Sequence, residues 1–248
     1  MHAKEVLALV EAIKPKLTLY DLYKNTAEFQ RRQPSRIGRV PPPHQELRIL
    51  EWSVVPFVGT KSLLVTALVE PGTPGRLPKK AIIKFYNVEF AENPAEVRHD
   101  PDWYNFVSYV KIPVRTGGFV TEPQEVAFKK INAKWCPVQV RCNCEDFYFR
   151  FGWYLKEFGS FYGKGPKPYQ RKTTWWPSQN RYHIPAMCKH LWNLARALER
   201  AGVLYGLPPI RHNAPPPNVS KPTTGGKVEM SAQAFVKFMQ KILSGDVK

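Results

Sequence analysis

No run of about 18 apolar residues occurs in this chain, so the sequence offers no helix that would span a membrane. The first residues show no apolar segment followed by a small-residue cleavage site, so no secretory signal is expected. Cysteine is scarce, with four in 248 residues, which fits a reducing compartment better than a disulfide framework. Acid is scarce too, with 20 Asp and Glu against 37 Lys and Arg. Residues 47–135 hold no Ser/His/Asp set, no phosphate-cradling glycine loop and no paired-carboxylate spacing. Asp100 and Asp102 come nearest to such a pair, and a turn at Pro101 accounts for them.

Proline, by contrast, is plentiful. The 24 prolines are about twice the usual share of roughly 5%. They gather at 41–43, 73–78, 165–168 and 208–222, as long irregular connections would. The net charge of +17 is uneven: residues 136–248 carry 17 basic residues against six acidic. Such a surface favours phosphates, acidic protein faces or the rim of a nucleic-acid channel, so nucleic acid is a candidate partner of this basic C-terminal half.

Three of the four cysteines stand in a C-x-C … C-x-H order: Cys142, Cys144, Cys188 and His190. Three thiolates and one imidazole complete the tetrahedron that zinc prefers. Val138, Val140, Cys142 and Cys144 alternate with polar residues as a strand edge does, and residues i and i+2 of a strand share a face. Cys142 and Cys144 can then meet one ion if the chain bends slightly between them. Pro185, then Leu191, Leu194, Ala195 and Leu198, then Gly202 read as a helix with a start and a stop. Inside a regular helix, i and i+2 lie about 200° apart, so Cys188 is expected in the turn before the helix and His190 in its first turn. Two plainer readings stand beside zinc, a disulfide and a set of buried unreactive thiols. Cys136 has no partner in the pattern and reads as a core or semi-exposed thiol. His183 is the alternative fourth ligand, with a looser spacing than His190. Four protein ligands leave no position for water, so the expected ion is a single structural Zn²⁺ and the protein is not expected to be an enzyme.

The strings Arg141-Cys142-Asn143-Cys144-Glu145-Asp146-Phe147 and Met187-Cys188-Lys189-His190-Leu191 resemble the SWIM-type zinc finger. Within that family they are similar to the SWIM-like virion proteins of large tailed bacteriophages, over roughly residues 48–202. The resemblance implies zinc binding through those four residues, a strand carrying the first pair and a helix start carrying the second. It also implies a structural place in a phage particle, with other virion proteins as partners, without naming the position there. The tail or baseplate is expected ahead of the shell. The protein would then be made in the host cytoplasm. Cellular SWIM domains are taken as nucleic-acid or protein interaction modules, so a regulatory or packaging-related nucleic-acid-binding protein is the rival reading. No membrane and no small-molecule substrate are expected.

The expected fold is α+β: an antiparallel sheet, a zinc-clipped strand/helix unit, and helical extensions at both ends. Residues 1–46 read as a helical arm (2–14 and 17–32) joined loosely through a Pro-rich connector, either a docking arm or a lid on the core. Residues 47–135 read as β-rich, with strands near 47–52, 62–69, 81–88, 103–114 and 126–131 and a turn at Gly59-Thr60-Lys61. Residues 136–206 form the zinc unit, and 207–248 a Pro-rich linker with a short amphipathic helix over 230–243.

Between the ligand pairs, roughly 148–186, aromatic and cationic residues alternate against one acid, Glu157. Trp153, Tyr154, Tyr162, Lys164, Arg171, Lys172, Trp175 and Trp176 are candidate partner-binding residues there, with Phe235 and Phe238 on the last helix. The insert suits a protein interface, a nucleic-acid track, or self-packing of a pinned loop. Gly163 to Pro168 is expected as an exposed, stiffened turn.

Overall fold

Thr18 and Asp21 set the first helix in place. The Thr18 backbone N–H donates to Asp21 Oδ2 at 3.0 Å, and the Asp21 N–H donates to Thr18 Oγ1 at 3.1 Å. This reciprocal capping satisfies two amides that the helix itself cannot pair. Helix α1 (Leu19–Arg32) follows. It is described here from a computed structural model covering residues 15–32, 46–73, 75–113, 119–167, 180 and 182–209. The predicted helices at 2–14 and 230–243 fall outside these residues. The chain through Pro209 is one compact unit; a second, Ile210–Lys248, also lies outside the described residues.

Four strands form the main sheet: β1 (Ile49–Phe57), β2 (Ser62–Val69), β3 (Lys79–Tyr86) and β7 (Val138–Cys142), in the order β1-β2-β3-β7. All neighbours are antiparallel. Alternation decides which face is covered. Leu63, Val65, Ala67 and Val69 of β2, Ala81, Ile83 and Phe85 of β3, and Val138, Val140 and Cys142 of β7 are buried. The predicted turn between the first two strands is present, but Lys61, not Gly59, takes the left-handed backbone, with φ of 46°.

Strands β4 (Trp103–Pro113) and β5 (Phe119–Lys129) pair along their whole length as a separate ribbon. The short piece expected at 126–131 is split: its first part is the end of this longer strand, and Ile131 begins a separate one. Pro123 sits within it, opposite Tyr109, which a two-stranded ribbon tolerates because one edge of each strand has no ladder to lose. The ribbon's base is held by rings: Phe128 meets Tyr104, Phe106 and Phe90 at centroid distances of 5.4, 5.8 and 6.3 Å. Strand β6 (Ile131–Asn132) pairs in parallel with β8 (Leu204–Tyr205).

The helical stretch after β7 comprises α2 (Glu145–Phe147), a wide π turn at Tyr148–Gly152 and α3 (Trp153–Glu157). Helix α4 (Lys189–Arg200) lies against β3 and β7 with Leu191, Leu194, Ala195 and Leu198 buried. It stops where predicted: Gly202 has φ of 74°, and the Gly202 and Val203 amides donate to the carbonyls of Glu199 and Leu198.

The expected N-terminal helical extension is not an extension over 19–32. Leu19, Leu22, Tyr23 and Phe29 of α1 are buried in the same apolar cluster as the sheet and α4. The Val138 amide donates to Leu17 O at 2.9 Å, and the Tyr20 amide to Ala133 O at 3.0 Å. Tyr23 stacks on Trp192 of α4 at 3.5 Å, and Phe151 meets Phe29 edge-on at 5.0 Å. The sequence pattern showed an apolar stripe on this helix, but not what would cover it.

Candidate metal centre

Strand β7 ends on Cys142, which lies opposite Ala81 of β3. Asn143 then turns the chain. Its Oδ1 accepts from the Lys80 amide at 2.8 Å, and its own amide donates to Lys80 O at 3.1 Å. Cys144 is therefore not in the strand, as alternation alone suggests, but is the N-cap of the next helical stretch. Its Sγ accepts from the Phe147 amide at 3.3 Å. A thiol in that position does what serine or aspartate usually does at a helix start.

The second pair behaves as expected. Cys188 is the N-cap of α4, with extended backbone (φ −75°, ψ 167°), and His190 lies in the first turn. The segment leading to it is held by α1: Asn25 Nδ2 donates to Pro185 O at 3.0 Å, and the Met187 amide donates to Thr26 Oγ1 at 2.9 Å. Asn180, buried, bonds to Arg150 O and to both backbone groups of Ile184. These three supporting residues were missed in the sequence. The signal was present, since Asn25 and Thr26 interrupt an otherwise apolar helix face.

One ligand atom from each of Cys142, Cys144, Cys188 and His190 lies within 4.8 Å of the other three. A tetrahedron of zinc-to-sulfur bonds places its sulfurs about 3.8 Å apart, so these atoms need little movement to share an ion. All four side chains are buried. Cys188 Sγ and His190 Nδ1 are 3.9 Å apart, and His190 Nε2 is buried without a hydrogen-bond partner. Nδ1 is the ring nitrogen beside the Cys188 thiol. Three sulfurs and an imidazole nitrogen converging in a buried site are a donor set that can hold a metal ion.

The electrostatics point the same way. The neighbouring Cys142 and Cys188 thiols hold Cys144 far below the ordinary thiol range, against its burial. Burial, followed by the neighbouring thiols, pushes Cys188 up; burial also raises Cys142. Three interacting thiols in one buried site resist ionising together, and a bound cation would offset that resistance. Asp146 is raised by burial, an effect countered by Arg150, whose Nε lies 2.9 Å from its carboxylate.

Cys136 stands apart. It is buried, and its Sγ donates to Tyr86 O at 3.0 Å. His183 is exposed and stacks on Tyr154 at 5.0 Å, so it is not the fourth ligand.

The aromatic insert divides. Its first part is helical and self-packed: Phe151 and Leu155 are buried, and Trp153 and Tyr154 are half-buried. Lys156 Nζ sits 4.9 Å over the Trp153 ring. Tyr162 is half-buried and its amide donates to Val140 O, continuing the sheet edge. Lys164 is exposed. Pro166, expected in an exposed turn, is buried, and a Cβ on Gly152 would meet its Cγ at 3.1 Å. Arg171, Lys172, Trp175, Trp176, Phe235 and Phe238 lie outside the described residues. No described helix is long and apolar enough to cross a membrane. No protein-family model, curated protein or solved structure matches the chain.

Proposed function

We propose that this chain is a non-enzymatic structural subunit of a tailed-phage particle, in the tail or baseplate, stapled by one zinc ion in a SWIM-type site. The observation that carries the staple is the convergence of four buried ligand atoms within 4.8 Å: Cys142 at the end of β7, Cys144 at the start of α2, and Cys188 and His190 at the start of α4. Zinc suits this donor set, because three thiolates and an imidazole are its usual structural shell.

Cys142 and Cys144 would hold the ion on the sheet side, and Cys188 and His190 on the helix side. Bound there, the ion supplies a cross-link. Cys144 keeps its helix amide, Asn143 holds the bend, and Thr26 holds the approach to Cys188. With four protein donors the shell has no room for a water nucleophile, which supports a structural role.

The place in a virion draws on the likeness of the two ligand strings to SWIM-like phage proteins. Two experiments test the two halves of this reading separately. Metal analysis of purified protein should return one zinc per chain; a folded protein without metal would sink the staple. Mass spectrometry of purified particles should find the chain at a fixed stoichiometry; its absence would sink the virion assignment.

A further inference from the structure

A groove of about 540 Å³ opens beside the metal centre. Its cationic lining is Arg141 on β7 together with Lys164 and Lys167, all exposed. Its apolar lining includes Phe147, Phe161 and Pro166. Among the described residues no carboxylate pairs with any of the three cations. Glu145, the acid of the lining, faces Arg76 at 3.9 Å. The three cations outnumber the negative charge of the lining, which is Glu145 and the net single negative charge of a zinc-loaded three-thiolate site. Lys80 registers the excess: burial first, and Arg141 second, hold its ammonium below the ordinary range.

We propose that this groove docks an acidic, apolar-anchored peptide segment of another protein, and so names the partner chemistry of the structural subunit proposed above, on which it rests. Charge selects the occupant. The chain's own remaining segments do not suit, since none is acidic: 33–45 and 168–179 carry two Lys or Arg each and no acid, 210–248 carries six against two, and 1–14 balances two Lys with two Glu. A second copy, at +17, does not suit either.

Ring geometry selects peptide over nucleic acid. Single-stranded nucleic acid needs free ring faces for its bases. Phe147 and Phe161 stack on each other at 5.9 Å and are 1% and 8% exposed. Tyr148 and Phe149, on the wall, are 51% and 42% exposed but meet edge-on at 5.3 Å, nearly perpendicular, so they do not present the parallel succession of ring faces along which bases stack. What remains is an apolar floor with cations around it, which an apolar side chain flanked by carboxylates complements.

The test uses the zinc-loaded full chain and a fluorescent peptide of about a dozen residues in which Asp and Glu alternate with Leu and Phe. The comparison probes are a polyglutamate of equal charge and a single-stranded oligothymidylate. The alternating peptide should bind more tightly than polyglutamate. Its affinity should fall roughly tenfold or more in R141E/K164E/K167E, and stay unchanged in K24E/R48E, two exposed cations outside the groove. No binding, equal loss in both variants, or oligothymidylate bound more tightly and lost with the groove cations would each overturn the proposal. Zinc content and unfolding midpoint are measured on every variant, so failure of the groove is told apart from failure of the staple.

Discussion

Replacing His190 by alanine takes away one of four ligands and leaves three buried thiols around a space. We expect zinc content to fall to near zero and the thermal midpoint to drop on the order of 10 °C; elemental analysis and calorimetry check this. Cys136→Ala should keep the full zinc content, because its thiol serves Tyr86 O and not the cluster. The same cysteine predicts an alkaline response. Burial pushes its thiol up to about 12 from an ordinary 9.0. The unfolded chain therefore gives up this proton first, and the stabilisation is complete below pH 9.0 and lost as pH rises towards about 12. Tyr23, raised by burial to about 12 from 10.0, adds a similar loss that starts later. Denaturant melts between pH 9 and pH 10 should thus decline less steeply in Cys136→Ala than in the parent. The ligands were legible in the sequence because cysteine and histidine spacing reports chemistry directly. The cap role of Cys144 was not, because alternation along Val138, Val140 and Cys142 continues smoothly into it, and only the Asn143–Lys80 hydrogen bonds end the strand.

At the level of elements, α1 matters to the metal although it supplies no ligand. Thr26 Oγ1 accepts from the Met187 amide, one residue before Cys188. Thr26→Val keeps the shape and removes the acceptor. Zinc affinity should fall about tenfold, as loss of a supporting hydrogen bond around a ligand typically does, and competition with a chromogenic chelator reads it. Strands β1 to β3 and helix α4 were legible from alternation, turn residues and the Pro185 and Gly202 boundaries. The role of α1 was not, because an amphipathic helix before a Pro-rich segment looks alike whether it docks on its own sheet or on a neighbour. The length of β5 was hidden by Thr121 to Glu125, whose polarity and central Pro123 suit a ribbon but read as a loop.

For the whole molecule, the ion closes a loop of 43 residues between Cys144 and Cys188. A covalent link of that span removes about 4 kcal/mol of chain entropy from the unfolded state, and a tightly held ion acts comparably. Chelation should therefore lower the stability of the entire unit through Pro209, with sheet and helix signals melting together, since β7, α1 and α4 share one apolar cluster. Separate melting of sheet and helices in the chelated protein would contradict this. Composition indicated a basic protein, but not where the excess charge would gather; that depended on Arg141 from one strand meeting Lys164 and Lys167 from the insert.

The wide turn at Tyr148–Gly152 sets a reading frame of its own. A π turn takes up one residue more than an α-helical turn, so removing one residue from those five would let the stretch close as regular α-helix, with Leu155 still turned to the interior and Cys144 untouched. A single deletion there should be absorbed more readily than one inside α4, and so should substitution of the exposed Tyr148. Gly152 is the exception, since even a methyl group would press on Pro166 and Phe161.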